Sequence, residues 1–528
     1  MSIDPSNNNR RLRIGDLLAH NVASRPLAPA LIGPQGLTHT WAELDTHTLA
    51  LAGGLTSLGL TRGDRIATIV RNGPDAIEAL FALARAGFVG VPINYGLTAA
   101  EVEVIFQDSE PKAILTDADF VEPFRAQIEQ AGAIVVVHGG ATLNSGWHDY
   151  DAIKTAAVAF DEAAVSPDDI RTIRYTSGTT AAPKGCLGTH RQILSSIENF
   201  FRELDVPTDA PFLQLLPLFS GAGIWMAFAA AYHGVANVVP ETFKPADALQ
   251  AIAEHGVGHA CGVPTMLSRM CEEYDPAKYD ISSLKLFGYT GSPMPAAMIR
   301  KALALLPWDF YQGFGGGEMG GLVSYLKPED HPRGSTAGDG LDERLRTAGR
   351  PAKYAELVIR SLQDGTPLPT GEAGEISVRS PSNFAGYHNL PEETAHTLRG
   401  EWVYTGDVGF IDEEGLLHVI DRVKDMVITG GMNVSSAEVE SVLIEHPAVE
   451  FAAVFGLPDD DWGEAVTAAV VLRDGATVAE AELIGFARLR LASYKTPKAI
   501  KFIDSFPMNA AGKILKRELR KRFAPATA

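Results

Sequence analysis

The stretch Arg174–Gly185 reads RYTSGTTAAPKG. A strand-like run, IRTIRY, leads straight into it. Hydroxyls from Thr176, Ser177, Thr179 and Thr180 gather around Gly178, and Lys184 stands between Pro183 and Gly185. Glycine permits a tight backbone, so exposed N–H groups and hydroxyls can wrap phosphate oxygens while the lysine adds positive charge. The loop is not of the G-x-x-x-x-G-K-[ST] type. Counted from Gly178, Pro183 stands where that pattern needs glycine and Gly185 where it needs a hydroxyl. An ordinary Ser/Thr turn accounts for the hydroxyls but not for the whole string.

Upstream of this loop, strand-like and helical runs alternate. RIATIV (Arg65–Val70), VGVPIN and KAILTD read as strands, and DAIEALFALARAG and AAEVEVIFQDS as helices. The rhythm returns in AIVVVHG, SLKLFGYTG and WDFYQGFG. Strands separated by helices predict an α/β fold with parallel-rich sheets. Around Ala355–Arg379 the pattern becomes strand–turn–strand, which predicts a small β subdomain. A break near DRVKD (Asp421–Asp425) divides the chain into residues 1–421 and a compact α+β part, 422–528. The first helix of that part carries a capping-box spacing, Ser435-x-x-Glu438.

The chain has 528 residues, 46% apolar and 21% charged, enough for more than one buried core. A net charge of −20 argues against nucleic acid as the main partner. The basic C-terminal stretch around Lys513, Lys516 and Arg520 reads mostly as a solvated helix face. Three cysteines without metal-ligand spacing leave an odd thiol, which predicts a reducing, cytoplasmic setting. The N-terminus lacks an apolar signal core, and the C-terminal APATA is not a peroxisomal address. Ala210–Pro240 carries no charged side chain, yet its prolines and glycines break it, so it predicts a buried helix and not an integral membrane segment.

Tyr311–Gly321, YQGFGGGEMGG, contains a literal G-x-G-x-x-G at Gly315, Gly317 and Gly320. A dinucleotide loop is one reading, but Glu318 inside it would repel a pyrophosphate. YTGDVGF sets Asp407 after Gly406, where it is either a turn residue or a carboxylate able to accept two O–H bonds. ITGGMNVSSAEVE contains Gly430 and Gly431, and NAAGKILKREL contains Lys513.

Together these stretches resemble the adenylate-forming superfamily of acyl-CoA synthetases, firefly-type luciferases and peptide-synthetase adenylation domains. The resemblance runs from about residue 40 to about residue 522. It implies a large N-terminal domain followed by a small, mobile C-terminal one. It further implies that Thr176–Thr180 and Lys184 hold the phosphates of ATP. Glu318 would hold Mg²⁺, with Phe314 and Gly315 completing the nucleotide loop. Asp407 would take both ribose hydroxyls, with Arg422 reaching ribose and phosphate. Lys424 would be the hinge, and Gly430 and Gly431 would line the path of the coenzyme A thiol. Lys513 would bridge carboxylate and α-phosphate.

The resemblance also has departures. Gly317 stands where the family has a threonine, Ser436 where it has a proline, and Ser220 follows Phe219 where many members have a histidine. Phe219, Ser220, Gly262, Gly291, Gly315 and Gly316 fall in the cleft stretches that would hold the acid. With Gly221 and Gly223 they carry little bulk, which predicts room for an aromatic or medium-to-long-chain acid. The implied activity is a carboxylic acid–CoA ligase using ATP, Mg²⁺ and coenzyme A. An enzyme loading a carrier protein and a non-catalytic nucleotide-binding protein are the alternatives. Oligomeric state, a homodimer included, stays open.

Overall fold

The structure is a computed structural model. It describes residues 13–140, 144–156, 158–176, 183–292, 294–334, 341–430, 432–459, 461–508 and 514–524. Contacts divide it into two compact units. The first comprises Met1–Leu357, Val378–Val403 and Gly415–Leu417; the second comprises Val358–Ser377, Tyr404–Glu414 and His418–Ala528.

Among the described residues, the first unit holds two sheets. A seven-stranded sheet runs, in spatial order, from His148–Asp149 through Ile134–His138, Ala113–Asp117, Arg65–Ile69, Val89–Pro92 and Ile170–Thr176 to Lys184–Thr189. Every pairing is parallel except the last, which is a hairpin flanking the hydroxyl-rich loop. The crossover helices fall where the alternation predicts. Pro74–Ala86 starts on proline and stops at Gly87, whose φ of +70° suits only glycine well. Ala99–Ser109 starts on a reciprocal capping box between Thr98 and Glu101. The alternating faces of these strands fill separate cores. Ala67 and Ile69 pack with Ile114 and Val135, whereas Ile66 packs with Leu115 and Val136.

The second sheet has nine strands. At its centre, Phe212–Leu213, His259–Gly262, Leu286–Thr290 and Asp309–Gly316 run parallel. Gly321–Leu326 turns back antiparallel on Asp309–Gly316. The segment Tyr311–Gly321 is thus a strand–turn–strand hairpin. A dinucleotide loop would open into a helix there, so that reading is excluded. The uncharged segment forms the helix Gly221–His233, whose Ile224, Phe228 and Ala229 are buried. Among the described residues no helix is long and apolar enough to cross a membrane.

In the second unit, strands Val449–Asp459 and Gly463–Leu472 form a long antiparallel pair. Val454 faces a core with Val439, Leu443 and Leu483, and its neighbours Ala453 and Phe455 face another with Ile503 and Leu519. The helix Ser436–Ile444 is capped differently from the spacing's prediction. Ser435 Oγ accepts from the Glu438 N–H (3.2 Å), but the Glu438 carboxylate turns to Lys495 Nζ (2.7 Å) instead of back to the cap. Asp421 Oδ2 completes the helix start, accepting from the Ser436 N–H (2.5 Å) and Ser436 Oγ (2.7 Å). A proline at position 436 could make neither bond.

Candidate active site

In the first unit, the hairpin Ile170–Thr176/Lys184–Thr189 sets Thr176 opposite Lys184. Ser177, Gly178, Thr179 and Thr180 lie between them and outside the described residues. Lys184 Nζ pairs with the Glu393 carboxylate and lies 5.1 Å from the centre of the Tyr387 ring. The pair with Lys184 holds the Glu393 carboxyl below its ordinary range.

Glu318 sits at the turn after Asp309–Gly316, the strand that carries Phe314, Gly315 and Gly316. Its Oε1 accepts from Tyr387 Oη–H at 2.8 Å, and its carbonyl accepts from the Phe384 N–H at 2.8 Å. The Tyr387 phenol is pushed well up by burial and then by the charge of Glu318. Cys186, beside them, is buried and raised to about 12, chiefly by desolvation. Glu318 and Lys184, 134 residues apart in sequence, therefore meet the same tyrosine, which the motifs did not single out.

The glycines of the cleft have a different cause from the one their small size suggests. A β-carbon on Gly315 would lie 1.9 Å from the Gly321 carbonyl oxygen, and one on Gly223 2.0 Å from that of Pro217. On Gly221 it would lie 1.9 Å from Arg174 Nη1. These three glycines admit close neighbours and do not border open space, so their lack of bulk is no evidence of a large pocket. Gly262 ends its strand and Gly291 follows the end of the adjacent parallel strand, at the C-terminal edge where ligands of open α/β sheets bind. Phe219 packs edge-on to Tyr95, with ring centres 5.1 Å apart.

Ser220 also has a local role. It is the N-cap of Gly221–His233: its Oγ accepts from the Gly223 N–H at 3.0 Å and donates to the Pro217 carbonyl at 2.7 Å. Ser220→Ala is expected to lower stability by about 1 kcal/mol, the ordinary worth of such a cap, measured as the shift of the urea midpoint at constant slope.

The remaining predicted residues lie in the second unit. Asp407, its side chain 9% exposed, pairs through Oδ1 with Arg422 Nε at 2.6 Å. The Asp407 N–H donates to Thr405 Oγ1 at 3.0 Å, and Gly406, inside the strand Trp402–Ile411, takes a left-handed φ of +70°. Lys424 follows in a turn, its carbonyl accepting from Arg520 Nη2 at 3.1 Å. Gly430 has a φ of +57°, and a β-carbon there would meet the Trp462 ring at 2.9 Å. Gly431 and Lys513 lie outside the described residues. The buried network around Asp421 extends to Lys516, whose Nζ reaches Ser436 Oγ and Glu440 Oε1, each at 2.6 Å.

A parallel-rich α/β unit thus carries an acid and a lysine that converge on Tyr387, and a smaller α+β unit accompanies it. The chain belongs to the AMP-binding enzyme family: the family model matches residues 18–388, and that of the family's C-terminal domain matches 438–513. It is 36% identical over 492 residues to feruloyl-CoA synthase of an Amycolatopsis species, covering 92% of this chain and 94% of that one. To the long-chain-fatty-acid–CoA ligase FadD13 of Mycobacterium tuberculosis it is 34% identical, covering 97% and 98%. Among solved structures it resembles o-succinylbenzoate CoA synthetase of Bacillus subtilis in complex with the acyl-adenylate OSB-AMP. The TM-score is 0.83 and the identity 29%, over 97% of this chain and 98% of that one.

Proposed function

We propose that the protein is an AMP-forming carboxylic acid–CoA ligase acting on an aromatic or medium-to-long-chain acid. The observation that carries the reading is the convergence of Glu318 and Lys184 on Tyr387, at the C-terminal edge of the central strands. Full-length similarity to ligases named for ferulate, long-chain fatty acids and 2-succinylbenzoate supports the substrate class.

The chemistry follows from the donors present. A carboxylate oxygen attacks the α-phosphorus of ATP; the bond from that phosphorus to the bridging oxygen breaks, and pyrophosphate leaves. The acyl-adenylate is a mixed anhydride, so its carbonyl now has a good leaving group. The thiol of coenzyme A, losing its proton, adds there and displaces AMP. Glu318 offers carboxylate oxygens of the kind Mg²⁺ takes and would hold that ion, which would supply positive charge to offset that of the phosphates. Tyr387 fixes the orientation of that carboxylate through Oε1. Lys184 would leave Glu393 for the phosphates, an exchange of one anion for a more highly charged one. Asp407 suits ribose hydroxyls, and its pair with Arg422 orients it.

Pyrophosphate release over a panel of acids, with and without coenzyme A, tests the reading. Acyl-CoA formation from ferulate, decanoate or 2-succinylbenzoate is the expected result. Adenylate formation followed by transfer only to a pantetheinylated carrier protein would favour the alternative, in line with the 34% identity to the fatty acid–[acyl-carrier-protein] ligase ScoC of Streptomyces coeruleorubidus. An optimum at acetate or propionate would overturn the substrate class.

A further inference from the structure

Arg174 lies on the strand Ile170–Thr176, and no motif reading gave it a role. Its guanidinium is wedged between the two loops that should face the reacting groups. Nη2 donates to the Gly317 carbonyl at 3.3 Å, one residue before Glu318. Nη1 lies against Gly221, the first residue of the helix Gly221–His233, where a β-carbon would come within 1.9 Å of it and the guanidinium would have to move. The side chain is partly buried, its Nε has no hydrogen-bond partner, and it joins no ion pair among the described residues. Arg171, on the same strand, is also buried with an unpartnered Nε, over the Phe228 ring at 5.5 Å. Burial, and next the charge of Arg174, push the Arg171 guanidinium down to about 9.

This arrangement is electrostatically incomplete. Two guanidinium groups lie three residues apart, and one of them also sits at the positive end of a thirteen-residue helix. A partly buried cation without an anion is less favourable than a paired one, and a bound carboxylate or phosphate would supply the missing charge. The planar fork of arginine is suited to a two-oxygen anion. Lys184, at the end of the phosphate motif, lies with Glu318 at Tyr387. Arg174 instead reaches the start of the helix that follows Phe219 and Ser220, on the side assigned to the acid.

We infer that Arg174 forms a carboxylate-binding subsite for the acid substrate, between Gly317 and the start of the helix Gly221–His233. The inference rests on the acid–CoA ligase reading. The carboxylate is either the one that reacts or a second one on the same acid.

The test uses Arg174→Gln, which can still donate to the Gly317 carbonyl but carries no charge, and Arg174→Lys, which keeps the charge without the fork. Adenylation is followed by pyrophosphate release with ferulate, decanoate and 2-succinylbenzoate. Arg174→Gln should raise KM for the acid by about tenfold or more, as for loss of a charge-assisted bond, with KM for ATP unchanged and lysine restoring part of the loss. A rise for all three acids identifies the reacting carboxylate, and a rise for 2-succinylbenzoate alone identifies a second one. A rise in KM for ATP instead, or no change in either, overturns the subsite. Calorimetric binding of decanoate and 2-succinylbenzoate in the presence of a non-hydrolysable ATP analogue separates the two readings. Binding that weakens in Arg174→Gln while the wild type makes no thioester would sustain the subsite and remove the ligase. No binding of either acid to the wild type would overturn the subsite.

Discussion

Lys513→Ala should lower acyl-adenylate formation by about 10²–10³-fold, the scale seen when one donor to a transition-state anion is removed. Thioester formation from supplied acyl-AMP should stay close to the wild-type rate. The asymmetry follows from the chemistry. In the first step negative charge builds on the α-phosphate as the carboxylate attacks it, and the role proposed for Lys513 is to bridge these two groups. In the second step that bond already exists, and the attacked atom is a carbonyl carbon. An interaction made in only one transition state affects only that step. The measurement is single-turnover adenylation by pyrophosphate release, set beside thiolation of synthetic acyl-AMP. Equal loss in both half-reactions, in a variant that melts like the wild type, would show that Lys513 holds structure or substrate generally. Lys516 supplies a contrast three residues on. Its Nζ is engaged by Ser436 and Glu440 inside the second unit, so Lys516→Ala should reduce stability rather than one half-reaction selectively.

The secondary structure was legible wherever it is set by local pattern. RIATIV, KAILTD and AAEVEVIFQDS became Arg65–Ile69, Ala113–Asp117 and Ala99–Ser109, because short continuous apolar runs suit strands buried on both faces and helical spacing records one buried face. Long-range partners were not legible. Lys184 meets Glu393 across 209 residues, and nothing near either position marks the pair. Tyr387 and Arg174 were missed for the same reason: a lone tyrosine or arginine has no spacing signal. Arg174 did leave one trace, Gly221, whose missing side chain makes room for the guanidinium. The sequence reading took that glycine for spare volume, since an absent side chain looks the same whether the space is empty or filled by a neighbour. Glu438 shows the complementary failure. The capping-box spacing is real, but Lys495 offers its carboxylate a charged partner and takes it.

Lys424→Pro should leave adenylation largely intact and reduce thiolation by about 10²-fold, the loss expected when a reacting group is held out of place. With Lys424 as the hinge that the resemblance implies, the two half-reactions would use two placements of the C-terminal part, one presenting Lys513 and the other the Gly430 segment. Such a change needs a residue whose backbone can take two conformations, and proline removes that freedom by fixing φ near −65°. The substitution keeps the backbone carbonyl that accepts from Arg520 Nη2, and it leaves the Val423 N–H free to donate to the Gly406 carbonyl at 2.9 Å. Lys424→Ala is the matching control, because it removes the ammonium but leaves φ unrestricted, and it should support both steps. Adenylation is read by pyrophosphate release, and thiolation by acyl-CoA formed from supplied acyl-AMP. If proline depressed both steps equally, or if alanine failed as badly as proline, the contribution of Lys424 would lie in its side chain or in folding, and the hinge would have to be placed elsewhere. If proline left both steps untouched, no rotation about this residue would be needed, and a single arrangement of the two units would have to serve the whole reaction.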